Sequence, residues 1–173
     1  MKSSPHNPQS LFPTRQKNRL HLSHYRGNRA CFITIATRDR KAVFSSNAVV
    51  AVHLEVLEKA AAKHDINVLA YCYMPDHVHF LISGRSRQSD LFRFVLDYKQ
   101  STGYAHKRKT GQSLWQKSFY DHILRKDEDI GHGIRYILAN PLRADLVKHP
   151  AAYPHSGSFV YGPEIFYESF VSS

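Results

Sequence analysis

Apolar residues recur along the chain with two different periods, and each period predicts a different kind of element. Alternating or continuous apolar runs rich in β-branched and aromatic residues predict strands. They occupy 30–37, 66–73, 77–84 and 118–124. Apolar positions at helical spacing predict helices over about 47–64, 89–110 and 127–139. The order is therefore strand, helix, strand, strand, helix, strand, helix.

Turn and capping residues delimit these elements. Ser45-Ser46-Asn47 predicts the start of the first helix, because short polar side chains cap helix N-termini. Gly111 ends the second helix, and Pro141 ends the third near Ala139 or Asn140. The aromatic-rich remainder of the chain is expected to wrap around the surface.

This order predicts an α+β fold. Three or four strands would form a largely antiparallel sheet with helices packed on one face, the split-βαβ arrangement of ferredoxin-like and RRM-like domains. Residues 1–26 are polar, basic and proline-containing, so they are interpreted as an N-terminal arm, either a solubilising tail or a segment that docks on phosphates. Residues 27–173 would form a single domain.

Composition narrows the choice of partner. The 173 residues carry 24 Lys and Arg against 14 Asp and Glu, a net charge of +10 that favours a polyanion, nucleic acid before an anionic membrane. No apolar run approaches the ~20 residues of a membrane span, and no secretory signal opens the chain. Cys31 and Cys72 lie in apolar runs and are interpreted as reduced core residues of a cytosolic protein.

Two histidines stand one residue apart in the strand-like run from Tyr73 to Ser83. Because alternate side chains of a strand face opposite sides, His77 and His79 share one face while Val78, Phe80 and Ile82 enter the core. Imidazole is the commonest metal ligand in proteins, so the pair is a candidate half of a metal site. Taken alone, such a pair is more often structural.

The third helix carries a tyrosine outside its apolar stripe. With about 100° per residue, the buried stripe comprises Ile130, Ile134, Ile137 and Leu138. Tyr136 lies about 240° from Ile130, and Asn140 lies one turn further on the same side. A tyrosine and an amide at this spacing reach one site, although Asn140 before Pro141 is also typical of a helix end.

Three sequence blocks together resemble the single-tyrosine HUH transposases, and most closely the REP-associated tyrosine transposases of bacteria. They are His77-Val78-His79, Trp115-Gln116-Lys117-Ser118-Phe119-Tyr120-Asp121-His122 and Tyr136-Ile137-Leu138-Ala139-Asn140-Pro141. The resemblance runs from about Tyr25 to about Phe159. It departs at Tyr153-Pro154-His155-Ser156-Gly157, where the family often has Trp-Pro-Trp-Ser-Ser.

The resemblance implies a specific chemistry. His77 and His79 would bind Mg²⁺ or Mn²⁺ with Asn140 as third protein ligand, and Tyr136 would be the nucleophile. The product would be a 5′-phosphotyrosine intermediate on single-stranded DNA beside a hairpin, such as a repetitive extragenic palindrome (REP). Residues before the first strand, including Tyr25 and Arg26, would help to read a short guide sequence. Residues 27–173 would form one HUH domain that acts at the bacterial nucleoid, as monomer or homodimer.

Basic residues after the histidine strand are candidate phosphate contacts. They are Arg85, Arg87, Lys99, Lys107, Arg108, Lys109, Lys117, Arg125 and Arg143. A solvated helix face is the alternative interpretation for those on the second helix. Trp115, Phe119 and Tyr120 are candidates for stacking on bases, although core packing is the commoner role for aromatic residues.

Two other functions compete with the transposase hypothesis. A non-catalytic nucleic-acid-binding module with an RRM-like fold would share the sheet, but the RNP signature is missing. A zinc hydrolase with water as nucleophile would share the histidines, but His-Glu-x-x-His and a cysteine cluster are absent.

Overall fold

The computed structural model describes residues 21–125 and 129–171. Most of the predicted arm, residues 1–20, and the acids at 127 and 128 lie outside them. The elements are β1 (Ala30–Ala36), α1 (Asn47–Lys63), β2 (Ile66–Met74), β3 (His77–Gly84), α2 (Leu91–Thr110), β4 (Tyr120–Ile123), α3 (Ile130–Leu138), α4 (Asn140–Arg143), β5 (Ser156–Gly157) and α5 (Pro163–Val171). Short 3-10 turns lie at Leu22–Tyr25, Arg38–Arg40 and Pro150–Ala152.

One antiparallel sheet organises the chain, in the strand order β4-β1-β3-β2-β5. The first four strands have the ferredoxin-like order, so the predicted α+β fold is confirmed. In the central pair of strands, Thr34 of β1 lies opposite His79 of β3, and Ala36 lies opposite His77. The two-residue strand β5 was not predicted, because so short a segment has no periodicity.

Helices pack on both faces of this sheet, so the prediction that they cover one face is wrong. Val78, Phe80 and Ile82 share one hydrophobic core with apolar residues of α1 and α2. Phe32 and Leu81 share a second core with residues of α3 and α5. Because both faces of the central strands carry apolar residues, both must be covered to exclude water.

The C-terminal segment supplies that second cover. Phe166 of α5 is fully buried and Tyr153 nearly so, which corrects the expectation that this segment only wraps the surface. In α3, Ile134, Ile137 and Leu138 are buried as predicted, whereas Ile130 is 38% exposed. Ile130 is the first residue of its helix and lies outside the second core.

The predicted helix boundaries correspond to observed caps. Ser46 accepts a hydrogen bond from the Val49 amide at the start of α1, and Asp129 does the same for Gly131 at the start of α3. Gly111 ends α2 in the left-handed conformation with φ 73°, which glycine adopts without a steric penalty. Within the parts of the chain that the structure describes, no helix is long and apolar enough to cross a bilayer.

Candidate active site and nucleic-acid surface

The two histidines of β3 converge on one point. The Nε2 atoms of His77 and His79 lie 3.1 Å apart, with the two rings almost perpendicular at 88°. Both project from the sheet face that α3 covers, as the strand alternation predicts. His79 is buried, with 7% of its surface exposed, while His77 is partly exposed.

The opposite ring nitrogens have partners that orient both rings. The Nδ1 of His77 lies 2.6 Å from an oxygen of Asp76, and the Nδ1 of His79 lies 2.9 Å from the Thr34 hydroxyl. A carboxylate only accepts hydrogen bonds, so neutral His77 carries its proton on Nδ1 and a lone pair on Nε2. Such partners are typical of histidines that bind metals.

Burial favours the neutral form of both rings. Desolvation lowers the pKa of His77, although the hydrogen bond from its ring to Asp76 opposes this. Desolvation also lowers the pKa of His79 well below its usual range, and the nearby charges of His77, Arg143 and Arg40 add to the effect. Only the neutral imidazole binds a metal, so both rings are in the form that binding requires at neutral pH.

The spacing of the two nitrogens fits a shared cation. Adjacent ligands about 2.1 Å from an octahedral ion would be about 3.0 Å apart, and those of a tetrahedral zinc ion about 3.3 Å apart. The observed 3.1 Å lies between these values. Within 21–125 and 129–171, no group of three or more His, Cys, Asp or Glu side chains is arranged to hold a metal. The pair therefore fits as part of a ligand set that other donors must complete.

Tyr136 lies one side chain away from the histidines in the same chain. The Phe32 ring is 5.5 Å from the His79 ring and 5.6 Å from the Tyr136 ring, measured between ring centres. The guanidinium of Arg143 also lies over the Tyr136 ring, 4.2 Å from its centre. Tyr136 is partly exposed beside the buried Ile137, as its position outside the apolar stripe predicts.

Asn140 ties the end of α3 to α4. Its Nδ2 donates to the carbonyls of Tyr136 at 2.9 Å and Ile137 at 3.2 Å, while its Oδ1 accepts from Arg143 at 2.9 Å. These contacts are those of a residue at a helix end, which is the alternative interpretation of Asn140. Its role as a metal ligand stays a prediction, which requires Oδ1 to exchange Arg143 for a cation.

Sequence reasoning missed three supporting residues and gave a fourth only a general role. Thr34, Asp76 and Arg40 were not singled out, and Arg143 was grouped with the general phosphate contacts. The Nε of Arg40 lies 3.3 Å from the Asp76 oxygen that does not contact His77. Two local signals existed: Asp76 directly precedes His77, and Arg143 lies two helical turns after Tyr136. Thr34 had none, because only strand register brings it to His79.

The predicted guide-reading residues lie at the N-terminal edge of the described chain. Tyr25 is buried, donates a hydrogen bond to Asp121 and packs 5.5 Å from the Phe92 ring. Its ring is thus a core contact that holds this segment on the domain. Arg26 is 70% exposed in its side chain and lies 3.7 Å from a carboxylate oxygen of Asp90.

Lys99 contacts the loop between α2 and β4. Its ammonium group donates to the carbonyls of Gln116 at 3.0 Å and Ser118 at 3.3 Å, and it lies 5.5 Å from the centre of the Phe119 ring. A DNA contact by Lys99 stays a prediction, but its observed bonds hold this loop in shape.

The other predicted phosphate contacts are exposed. Lys107 and Lys117 both line a cavity of about 540 Å³ beside Tyr104, whose surface is 66% exposed. Arg108 lies over the Tyr104 ring at 5.9 Å, and Arg125 is exposed after β4. The structure thus brings Lys107, Arg108 and Lys117 to one basic surface with an aromatic ring.

Comparison with known proteins identifies the family. A family model described as "Transposase IS200 like" matches residues 29–139, which include β1 to β4 and α3. The chain belongs to the IS200-like transposase family. Membership of this transposase family supports DNA strand cleavage and transfer as the class of activity.

Two curated relatives and one solved structure extend this result. A Haemophilus influenzae protein classed as a REP-associated tyrosine transposase is 22% identical over 137 residues, covering 72% of this chain and 77% of its own length. The REP-associated tyrosine transposase of Escherichia coli K12 is 25% identical over 126 residues, covering 72% and 73%. The structure of a REP-associated tyrosine transposase bound to a REP hairpin superposes with a TM-score of 0.68 at 21% identity, over 82% of each chain. This last likeness supports the fold.

Proposed function

We propose that this protein is a metal-dependent single-stranded DNA endonuclease and transesterase of the REP-associated type, which cleaves and rejoins DNA near hairpins through a 5′-phosphotyrosine intermediate. The observation that carries the proposal is the convergence of two imidazole nitrogens, 3.1 Å apart, one phenylalanine ring away from a tyrosine. Family membership supplies the class of reaction.

His77 and His79 would hold Mg²⁺ or Mn²⁺ through Nε2, with Oδ1 of Asn140 as a third donor. The bound cation would polarise a phosphate oxygen and stabilise the charge that develops in the transition state. Asp76 and Thr34 keep the two rings oriented for this task through their bonds to Nδ1. Imidazole and amide donors leave positions for water and the substrate phosphate.

Tyr136 would attack the scissile phosphate. The phenol oxygen forms a bond to phosphorus, the bond from phosphorus to the 3′-oxygen breaks, and the leaving 3′-oxygen takes a proton from solvent. The phenol proton passes to solvent or a neighbouring base. The phosphotyrosine ester retains the energy of the broken linkage, so a 3′-hydroxyl reverses the step without a nucleotide cofactor.

Arg143 is the group best placed to assist Tyr136. Its guanidinium, which keeps its charge at all physiological pH values, lies 4.2 Å from the ring centre and is exposed to an incoming strand. A fixed positive charge at this position would bind a non-bridging phosphate oxygen and stabilise the charge that develops there in the transition state. Its bond to Asn140 links both groups to the candidate third ligand.

Hairpin DNA is the proposed partner. The curated relatives are named for REP elements, and the net charge of +10 suits a polyanion. Arg26, Lys107, Arg108, Lys117 and Arg125 would contact phosphates in the bacterial cytoplasm, at the nucleoid. The contact of Phe32 with both His79 and Tyr136 within one chain supports a site that one subunit completes, whether the protein is monomer or homodimer.

A covalent-adduct assay tests this function. The protein is incubated with Mg²⁺ and labelled hairpin DNA that has single-stranded flanks, and the products are separated on a denaturing gel. Wild type is expected to form a covalent protein–DNA band that Tyr136→Phe abolishes and a chelator prevents. His77→Ala and His79→Ala are expected to lose cleavage while DNA binding, measured by fluorescence anisotropy, largely survives.

Other results contradict the proposal in distinguishable ways. Cleavage without a covalent band would indicate a hydrolase that uses water, and binding without cleavage would indicate a nucleic-acid-binding module. An adduct that persists in Tyr136→Phe would exclude this tyrosine as nucleophile. Equal loss of binding and cleavage in both histidine variants would indicate a structural pair.

A further inference from the structure

A cavity of about 330 Å³ lies beside the histidine pair on the side of β4. It is lined by Thr34, Ala36, Arg40, Gln116, Ser118, Phe119 and Tyr120. Its volume falls at the lower end of the range for small-ligand sites. Neither the predicted metal ligands nor the nucleophile lines it, so it is a separate compartment of the candidate active site.

Three lining residues connect this cavity directly to the histidines. Thr34 bonds to the Nδ1 of His79, and Ala36 lies opposite His77 in the sheet. Arg40 pairs with the carboxylate of Asp76 that orients His77. A group bound in the cavity would therefore lie next to a phosphate held at the histidines.

The walls carry the chemistry that binds a nucleotide. Tyr120 lies opposite Thr34 in β4, so its ring projects from the same face as His79 and offers a surface on which a base can stack. Gln116 has an exposed side chain whose amide both donates and accepts hydrogen bonds, as the edge of a base requires. Arg40 adds a permanent positive charge for a phosphate.

The loop that forms one wall is held in place before any ligand binds. The backbone N–H of Gln116 donates to the Ala36 carbonyl at 3.0 Å, and the Lys99 ammonium group donates to the backbone carbonyls of Gln116 and Ser118. A wall fixed by backbone contacts loses little entropy when a ligand binds, which favours a defined binding site.

The position of the cavity relative to Tyr136 indicates on which side of the cleaved bond a nucleotide in the cavity would lie. Phe32, Thr34 and Ala36 follow one another on the same face of β1. Tyr136 contacts Phe32 at one end of this row, while the cavity is lined by Thr34 and Ala36 at the other. In phosphoryl transfer the leaving oxygen departs on the side away from the nucleophile. The leaving 3′-oxygen would therefore point toward the cavity.

We propose that this cavity binds the nucleotide that carries the leaving 3′-oxygen, which is the last nucleotide of the released strand. The inference rests on the proposed function and deepens it. The base stacks on Tyr120, its edge is read by Gln116, and its 5′-phosphate meets Arg40. The preceding nucleotides continue into the adjoining 540 Å³ cavity, which shares Gln116 and Phe119 and carries Lys107 and Lys117.

Sequencing both products of cleavage tests the assignment. The probe is a hairpin oligonucleotide with randomised single-stranded flanks, incubated with Mg²⁺. Ligating an adaptor to released 3′-hydroxyl ends reads the last nucleotide of the released strand, and protease-treated adducts read the nucleotide on the other side of the cut. Gln116→Ala is expected to reduce base preference at the released end about tenfold, the size of a lost contact to a base edge. Tyr120→Ala is expected to slow adduct formation about tenfold whatever the base, the size of a lost stacking contact.

Two controls make the result specific. Gln112→Ala removes an exposed amide from the same loop, one that bonds to Lys41, and is expected to leave both preferences unchanged. Tyr120→Phe retains the ring and is expected to recover the rate of adduct formation that Tyr120→Ala loses. Thermal melting of each variant establishes that it is folded. If Tyr120→Ala does not fold, Gln116→Ala still tests the assignment, because the Gln116 side chain is exposed.

An abasic nucleotide provides the second readout. Placed at the last position of the released strand, it is expected to slow adduct formation at least tenfold in wild type and to have a smaller effect in Tyr120→Ala, where the stacking contact is already lost. No effect in wild type, or a changed preference only on the adduct side, would overturn the assignment. If wild type forms no Tyr136 adduct at all, the proposed function itself fails, and this inference fails with it.

Discussion

The two faces of strand β3 use polar groups in opposite ways. On the face packed by α1 and α2, two pairs of buried polar side chains bond to each other: the hydroxyls of Tyr73 and Tyr98 lie 3.0 Å apart, and Trp115 donates to Thr102 at 2.8 Å. On the other face, hydrogen bonds hold the outer nitrogens of two histidines and leave their inner nitrogens facing each other. One strand thus contributes to a hydrophobic core on one face and, on the other, to a site that a ligand can complete.

Burial has the same electrostatic effect on both faces but a different consequence. It raises the pKa of Tyr73 and Tyr98, which keeps the phenols neutral inside the core. It lowers the pKa of His77 and His79, which keeps the imidazoles neutral and able to bind a cation. Desolvation therefore keeps buried phenols neutral on one face of the sheet and keeps imidazoles able to bind a cation on the other.

The largest expected effect comes from neighbouring substitutions on opposite faces. His79→Ala is expected to reduce adduct formation about a thousandfold, because a bound cation contributes several kcal/mol to transition-state stabilisation. Phe80→Ala is expected to lower the free energy of unfolding by about 3–5 kcal/mol, because Phe80 is fully buried. Adduct assays and urea titrations measure the two quantities. If both variants lost stability and activity to the same extent, the division between the faces would be wrong.

Arg143 tests whether the reactive face depends on charge beside the nucleophile. Arg143→Ala is expected to reduce the rate of adduct formation about a hundredfold, because a preorganised charge near the reacting oxygens is lost. Arg143→Lys is expected to recover part of this loss, because its ammonium group restores a positive charge at this position. Single-turnover rates of adduct formation provide the measurement. An equal loss in Arg143→Lys and Arg143→Ala would contradict a role for the charge itself.

Thr34 tests the orientation of the buried histidine. Thr34→Val keeps the shape of the side chain but removes the hydroxyl that contacts Nδ1 of His79. Metal affinity is expected to fall about tenfold, since the partners of metal-binding histidines contribute factors of this size. Isothermal titration with Mn²⁺ measures it, with Thr110→Val on the exposed end of α2 as the matched control. Unchanged affinity in Thr34→Val would mean that the hydroxyl does not orient the ring.

The smallest effect is the dependence of stability on pH. The folded-state pKa values of His77 and His79 lie below the unfolded value of about 6.5, so the unfolded chain binds more protons as the pH falls. This destabilising effect of the two histidines is absent above pH 6.5. The free energy of unfolding is expected to decrease as the pH drops below 6.5. Urea titrations from pH 7.5 to pH 5 measure the decline, which should be shallower in His79→Ala. An equal decline in wild type and His79→Ala would contradict the direction of the shift.

Local pattern predicted much of the site. Strand alternation identified the face shared by His77 and His79 and the core side of Val78 and Phe80. Helical periodicity separated Tyr136 from the buried stripe of α3, and Gly111 marked the end of α2. These features depend on residues a few positions apart, whose geometry follows from the backbone periods of strand and helix.

Other features depended on contacts between distant segments. Thr34 and His79 are 45 positions apart and meet only because β1 and β3 pair in one register. The second helical layer, the exposure of Ile130 and the cavity beside β4 likewise arise from how separate elements pack. No local period encodes these arrangements, because they are set by burial and strand pairing that involve the whole chain at once.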